Sequence, residues 1–186
     1  VASGLMGMGL EPGQRVSIMA HTSYEWTLLD MAIARAGLVS VPIYETDSAE
    51  QIEWILQDAA LRLVITESTA LAEIVRQAVS AYSAAHEDAP SVDVMPLDRD
   101  ALTALTTAGA EISRSALDAR TAAVTASDTY SIIYTSGTTG RPKGVELTHR
   151  NAVGIPYHGV RYLPGVLWGT HVRLLLFLPL AHVYAR

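Results

Sequence analysis

With 186 residues, 49% of them hydrophobic and 17% charged, the chain can bury the core of one large domain or most of one, which excludes a disordered segment. The net charge of −6, without a Lys/Arg cluster, argues against a nucleic-acid surface, and zero cysteines exclude disulfides and thiolate metal sites. The longest dense apolar run, Leu174 to Leu180, is too short to span a bilayer and contains Pro179, and the N-terminus has no signal-type core; a cytoplasmic protein is expected, with peripheral membrane contact left open.

The first 97 residues alternate helix and strand. Val1 to Gly9 reads as a helix, and Leu10-Glu11-Pro12-Gly13 places Pro and Gly where a type II turn needs them. Arg15 to Ala20 reads as a strand. Tyr24 to Ala36 is a helix with Leu29, Ala32, Ile33 and Ala36 on one face, closed by Gly37. Leu38 to Tyr44 is the next strand, with Pro42 near its end. Ser48-Ala49-Glu50-Gln51 has capping-box spacing and opens a helix whose Ile52, Ile55, Leu56 and Ala59 form one stripe.

Leu61 to Thr66 is a third strand. Leu71, Ile74, Val75, Ala78, Val79 and Tyr82 then give a helix an apolar face, followed by a polar loop from Ser83 to Pro90 and a fourth strand within Val92 to Leu97. Repeated strand–helix units of this length imply an α/β fold, a mainly parallel sheet covered by helices. Residues 98–128 are Ala/Thr-rich and suggest one or two exposed helices connecting to a last segment, 129–186. There Ser131 to Tyr134 and Val145 to Thr148 read as strands, Thr148 as the N-cap of a helix running to about Gly159, and Val172 to Leu178 as a final strand.

Between the strand-like Ser131 to Tyr134 and Val145 to Thr148 lies the most informative stretch, Thr135-Ser136-Gly137-Thr138-Thr139-Gly140-Arg141-Pro142-Lys143-Gly144. Glycines let the backbone turn its N–H groups inward, hydroxyls add donors, and Lys143 supplies a positive charge, which together suit polyphosphate. Pro142 stiffens the return arm by fixing its own φ and restricting Arg141. A Walker A loop fits badly. It needs a hydroxyl residue directly after the lysine and a helix starting there, whereas Lys143 follows a proline and precedes Gly144 and a strand. A Gly/Thr-rich surface hairpin is the plainer alternative, but hairpin loops are usually shorter and poorer in donors.

Leu178-Pro179-Leu180-Ala181-His182 places an imidazole just beyond a buried strand, where parallel α/β folds put ligand sites. By itself His182 reads as structural; downstream of the phosphate loop it becomes a site candidate. Trp26, Tyr44 and Trp54 read as packing residues rather than substrate contacts. His21, His86, His149, His158 and His171 show no metal-ligand spacing.

The loop, together with Thr148-His149-Arg150-Asn151, resembles the signature of the adenylate-forming superfamily of acyl-CoA synthetases, nonribosomal adenylation domains and luciferases. Pro179-Leu180-Ala181-His182 is similar to that family's Pro-Leu-x-His motif. Tyr24-Glu25-Trp26 and Val41 to Thr46 look like the N-terminal region of bacterial long-chain fatty acid–CoA ligases. Many members carry Glu where this chain has Ala185, so no role is given to that position.

The resemblance implies an ATP-dependent ligase. A fatty acid carboxylate attacks the α-phosphate of ATP, and coenzyme A then displaces AMP from the acyl-adenylate. It assigns phosphate binding to Thr135, Ser136, Gly137, Thr138, Thr139, Gly140 and Lys143, charge neutralisation to Lys143, and a place between nucleotide and acyl pocket to His182. Mg2+ would bridge the phosphates. Residues 1–186 would form part of the large N-terminal AMP-binding domain, cut at both ends and without the C-terminal domain, so the chain alone is expected to be inactive. Acyl-AMP formation without coenzyme A, activation of an aryl or amino acid, and a non-catalytic nucleotide-binding module remain as alternatives.

Overall fold

The computed structural model describes residues 1–135, 141–162 and 178–182. After the short helix α1 (Ala2–Gly7), Glu11 to Gln14 turn sharply. The Gln14 N–H donates to the Glu11 carbonyl at 3.1 Å, and Gly13 supplies the positive φ of 78° that this turn requires. The chain then enters β1 (Arg15–Met19), α2 (Tyr24–Arg35) and β2 (Val39–Ile43). Helix α2 ends in a Schellman arrangement at Gly37 (φ 67°): Leu38 N–H reaches the Ile33 carbonyl and Gly37 N–H the Ala34 carbonyl, both at 3.0 Å. A side chain with Cβ would be strained there.

Helix α3 (Ala49–Ala59) opens with a complete capping box. Gln51 N–H donates to Ser48 Oγ, while the Gln51 side chain accepts from Ser48 N–H. Its buried residues are Ile52, Ile55, Leu56 and Ala59, the stripe read from the sequence. Ala60 closes it with φ 48°, a left-handed cap without glycine. Strand β3 (Leu61–Thr66), helix α4 (Thr69–Ala85) and strand β4 (Asp93–Pro96) follow. Helix α4 continues through Ser83 to Ala85, so the polar loop begins later than its composition suggested; ordinary helix formers there have no breaker to stop them.

The sheet order is β4-β3-β1-β2-β5-β6. The neighbours from β4 to β5 (Thr129–Thr135) pair in parallel, and β6 (Lys143–Thr148) closes the sheet antiparallel to β5. The chain steps from β1 to β2 on one side, then crosses to β3 on the other, so right-handed connections set α2 and α3 on opposite faces. One core gathers Leu5, Val16, Ile18, Trp26, Leu29 and Ile33, the other Val41, Ile43, Ile52, Leu56, Val64 and Val75. Burial on both faces explains why β1, β2 and β3 read as nearly continuous apolar runs.

Helices α5 (Arg99–Ala108) and α6 (Arg114–Ala123) are not simply exposed. Ala101, Leu105 and Leu117 are buried, and Leu105 and Leu117 join the core that contains Trp26. Their apolar positions are sparse because each presents only a narrow stripe. Arg120 ties α6 to the first turn by donating to the Leu10 carbonyl, and Arg35 of α2 pairs with Asp118 at 2.9 Å. Helix α7 (His149–Tyr162) extends three residues past Gly159, with Pro156 inside it; Thr148 and Asn151 cap its start reciprocally. The strand expected over Val172 to Leu178 lies outside the described residues except for Leu178, which forms a bend.

The carboxyl ends of β1, β2 and β3 carry a small charged cluster. His21 Nδ1 lies 2.7 Å from Glu67 Oε1, and its Nε2 lies 3.5 Å from Glu45. The Glu67 hydrogen bond, then the Glu67 and Glu45 charges, raise the His21 pKa above its ordinary 6.5. At Glu67 burial pushes upward, but hydrogen bonds from the His21 backbone and ring and the His21 charge outweigh it and hold the carboxyl below its usual value.

The signs follow from linkage. The His21 contribution is complete below about pH 6.5 and is lost as pH rises through the raised folded value. The Glu67 contribution is present above its ordinary value and is lost as pH falls through the depressed one. Replacing His21 with Gln is therefore expected to lower Tm most near about pH 5.5. The difference should shrink as His21 deprotonates in the parent protein. Thermal melts of both proteins across pH check this; a pH-independent difference would remove the ion pair from the explanation.

Candidate active site at the carboxyl end of the sheet

Strand β5 carries Ile132 and Tyr134 into the core beneath α3 and α4 and delivers Thr135, exposed, at the carboxyl end. Its register shifts between Thr129 and Ser131, so Tyr130 is an extra residue. The shift lets Tyr130 donate to Asp30 of α2 at 2.6 Å, while Tyr134 donates to Asp58 of α3 at 2.6 Å. Two tyrosine–aspartate bonds thus fasten β5 to helices on opposite faces. Burial, then the Asp58 hydrogen bond and charge, push the Tyr134 hydroxyl well above its ordinary pKa, so it remains a donor.

The last rung of the β5–β6 ladder is Thr135↔Lys143. The two ends of the expected phosphate loop therefore face each other across one strand pair, with Lys143 exposed on the sheet's edge strand. Ser136, Gly137, Thr138, Thr139 and Gly140 lie outside the described residues. Gly144 has a structural use: a Cβ there would stand 2.9 Å from Ile132 Cγ2, and 3.2 and 3.3 Å from Tyr134 Cζ and Oη. Its missing side chain makes room for the tyrosine that reaches Asp58.

His182 joins this end of the sheet. The Leu180 N–H donates to Thr22 Oγ1 at 3.0 Å, tying residues 178–182 to the loop after β1, and Leu180 is buried in the core with Trp26. His182 then lines a cavity of about 340 Å3 with Pro42, Tyr44, Tyr134, Thr135 and Pro142. Asp47 is in its wall; burial raises its pKa, opposed by the Tyr44 N–H it accepts and reinforced by the charge of Glu45. A larger cavity, about 670 Å3, opens at the amino end of β1 and β2, around Arg15, Gly37 and Val39. Of the residues in the family-like motifs it is lined by His149 alone, and by none of those expected to bind phosphate or to face the acyl group, whereas ligands of open α/β sheets bind at the carboxyl ends.

Thr135, Lys143 and His182 are thus brought to one end of the fold by three different segments. A family model described as AMP-binding enzyme matches residues 1–186, the whole length of the chain. The chain belongs to the AMP-binding enzymes. It is 44% identical over 185 residues to the long-chain-fatty-acid–CoA ligase FadD15 of Mycobacterium bovis and to that of Mycobacterium tuberculosis. In both cases all of the chain is covered but only 30% of the relative. This AMP-binding chain therefore spans about a third of the length of the curated relatives it matches.

Among solved structures, ATP-bound MatB from Rhodopseudomonas palustris aligns with 99% of the chain and 35% of its own, at 28% identity and TM-score 0.73. A fatty acyl CoA synthetase of Mycobacterium tuberculosis aligns with 99% and 33%, at 27% identity and TM-score 0.65. The mainly parallel, helix-covered sheet of this AMP-binding chain is the fold of those N-terminal domains.

Two groups at the site were not singled out as site residues. Trp54, read as packing, donates its Nε1–H to the Pro142 carbonyl at 2.9 Å, and the Arg141 guanidinium sits 4.7 Å above its ring. The signal was present: Trp54 falls off the stripe Ile52, Ile55, Leu56, Ala59, and an indole off an apolar stripe needs another partner. Tyr44, also read as packing, lines the cavity. Trp26 is core, as expected. Among the described residues, no three His, Cys, Asp or Glu side chains are grouped to hold a metal, and no helix is long and apolar enough to cross a membrane.

Proposed function

We propose that the chain is part of the N-terminal AMP-binding domain of a cytoplasmic long-chain fatty acid–CoA ligase, with 129–186 supplying its phosphate loop and acyl-site segment. The observation that carries this is the shared placement of the Thr135↔Lys143 rung and His182 at the carboxyl end of the sheet. The identity to the two mycobacterial ligases supports the choice of substrate.

Adenylyl transfer asks a protein mainly for positioning and charge neutralisation. Thr135, Ser136, Gly137, Thr138, Thr139 and Gly140 would hold the β- and γ-phosphates through hydroxyls and backbone N–H groups. Lys143 would neutralise the charge that grows as pyrophosphate leaves. Mg2+ fits as an ion carried on phosphate oxygens with its own waters, since the donors at hand are hydroxyls, N–H groups and one lysine rather than a carboxylate cage. Bound there, it would shield charge on the polyphosphate.

His182 would form the wall between nucleotide and acyl group. Coenzyme A is the proposed acceptor in the second half-reaction. The test is fatty-acid-dependent exchange of labelled pyrophosphate into ATP by the full-length protein, with thioester formation followed separately. His182→Ala is expected to change the two half-reactions unequally. Equal losses with a large fall in Tm would make His182 structural, and exchange driven by an aryl or amino acid instead of a fatty acid would overturn the substrate.

A further inference from the structure

Helix α3 touches both arms of the phosphate loop with side chains one turn apart. Asp58 accepts the Tyr134 hydroxyl on the outgoing arm, and Trp54 donates to the Pro142 carbonyl on the return arm. Positions four apart share a helix face, so a single rigid surface reaches both arms. The helix is well fixed: its capping box sets its start, and Ile52, Ile55 and Leu56 bury it against β2 and β3. The Pro142 carbonyl is one peptide from Lys143, and Pro142 allows little freedom at φ. The Arg141 guanidinium lies over the ring of the same indole. The location of Lys143 is therefore set twice, by the ladder to Thr135 and by the indole.

We propose that Trp54 is a positioning residue for the phosphate loop: its indole fastens the return arm to α3 and places Lys143 before polyphosphate arrives. It touches neither substrate nor reacting atoms. It acts by reducing the ordering cost that the loop must meet on binding. This rests on the reading of residues 135–144 as a phosphate loop.

The test compares Trp54→Phe and Trp54→Leu in the full-length protein, with Mg·ATP and Mg·pyrophosphate as probes and a long-chain fatty acid as the control ligand. Trp54→Phe keeps a ring under Arg141 but loses the N–H, and should weaken both polyphosphates about fivefold, the worth of one hydrogen bond. Trp54→Leu also loses the ring and should weaken them about thirtyfold. The fall should appear in the KM for ATP more than in kcat, with fatty-acid affinity unchanged. In protein labelled with 5-fluorotryptophan, the 19F resonance missing from Trp54→Phe should move when Mg·pyrophosphate is added.

Polyphosphate affinity equal to the parent in both variants would overturn the proposal. So would losses that track fatty-acid affinity and Tm together. Lys143→Ala separates the two layers. If it weakens Mg·ATP while the Trp54 variants do not, the indole alone is misassigned. If it too leaves Mg·ATP binding unchanged, the phosphate-loop reading fails, and the proposal falls with it.

Discussion

Replacing Lys143 with alanine is expected to slow adenylate formation by about 10²–10³-fold, equivalent to about 2.7–4 kcal/mol in the transition state, while leaving the fold intact. The lysine is the first residue of β6 and is exposed, so its removal leaves no cavity and no buried partner unpaired. In the free protein such a charge is worth little, because water screens it. On the proposed function its value would arise when polyphosphate fills the loop and water is displaced, and would be greatest as negative charge gathers on departing pyrophosphate. Pyrophosphate exchange measures that step directly, and Tm reports the fold. Unchanged exchange would remove Lys143 from the chemistry.

The second large effect is on stability. Helices α1 and α5 meet backbone to backbone: a Cβ on Gly4 would fall on the Leu105 carbonyl, and one on Gly7 on the Ala108 carbonyl. From the other side, a Cβ on Gly109 would lie 2.7 Å from Gly4 N. Gly7→Ala must push the helices apart, because a carbonyl cannot swing away as a flexible side chain can. The separation would loosen Leu105 and Leu5 in the shared core. A cost of about 3 kcal/mol is expected, the upper end for overpacking. On α7, Gly154 has nothing within 4 Å of its virtual Cβ. There the same change should stabilise by about 0.5–1 kcal/mol, since a helical glycine loses more chain entropy than alanine. Denaturant titration of both variants checks the contrast in sign; a Gly7→Ala protein as stable as the parent would remove the close crossing of α1 and α5 from the explanation.

Local patterns made most of the elements legible. The stripe of α3, the capping box at Ser48, the glycine stop at Gly37 and the turn at Gly13 are statements about neighbours in sequence, and all four hold in the structure. The candidate phosphate loop stood out because its donors and its lysine are concentrated in ten consecutive residues. Helices α5 and α6 were harder to read, because a helix that buries one or two residues leaves little periodicity to detect.

By itself, then, the amino-acid sequence determined most of the element types and the candidacy of residues 135–144 and His182 as site residues. Each of these depends on residue type and short-range spacing. The tertiary structure alone decided which face each helix covers, that Thr135 and Lys143 form one rung, and that His182 lines the cavity beside them. It alone joined Trp54 to Pro142 and Asp58 to Tyr134, partners 88 and 76 residues apart. The physical reason is that strand order and register follow from burying two cores at once. No local run of residues encodes which distant carbonyl an indole will meet.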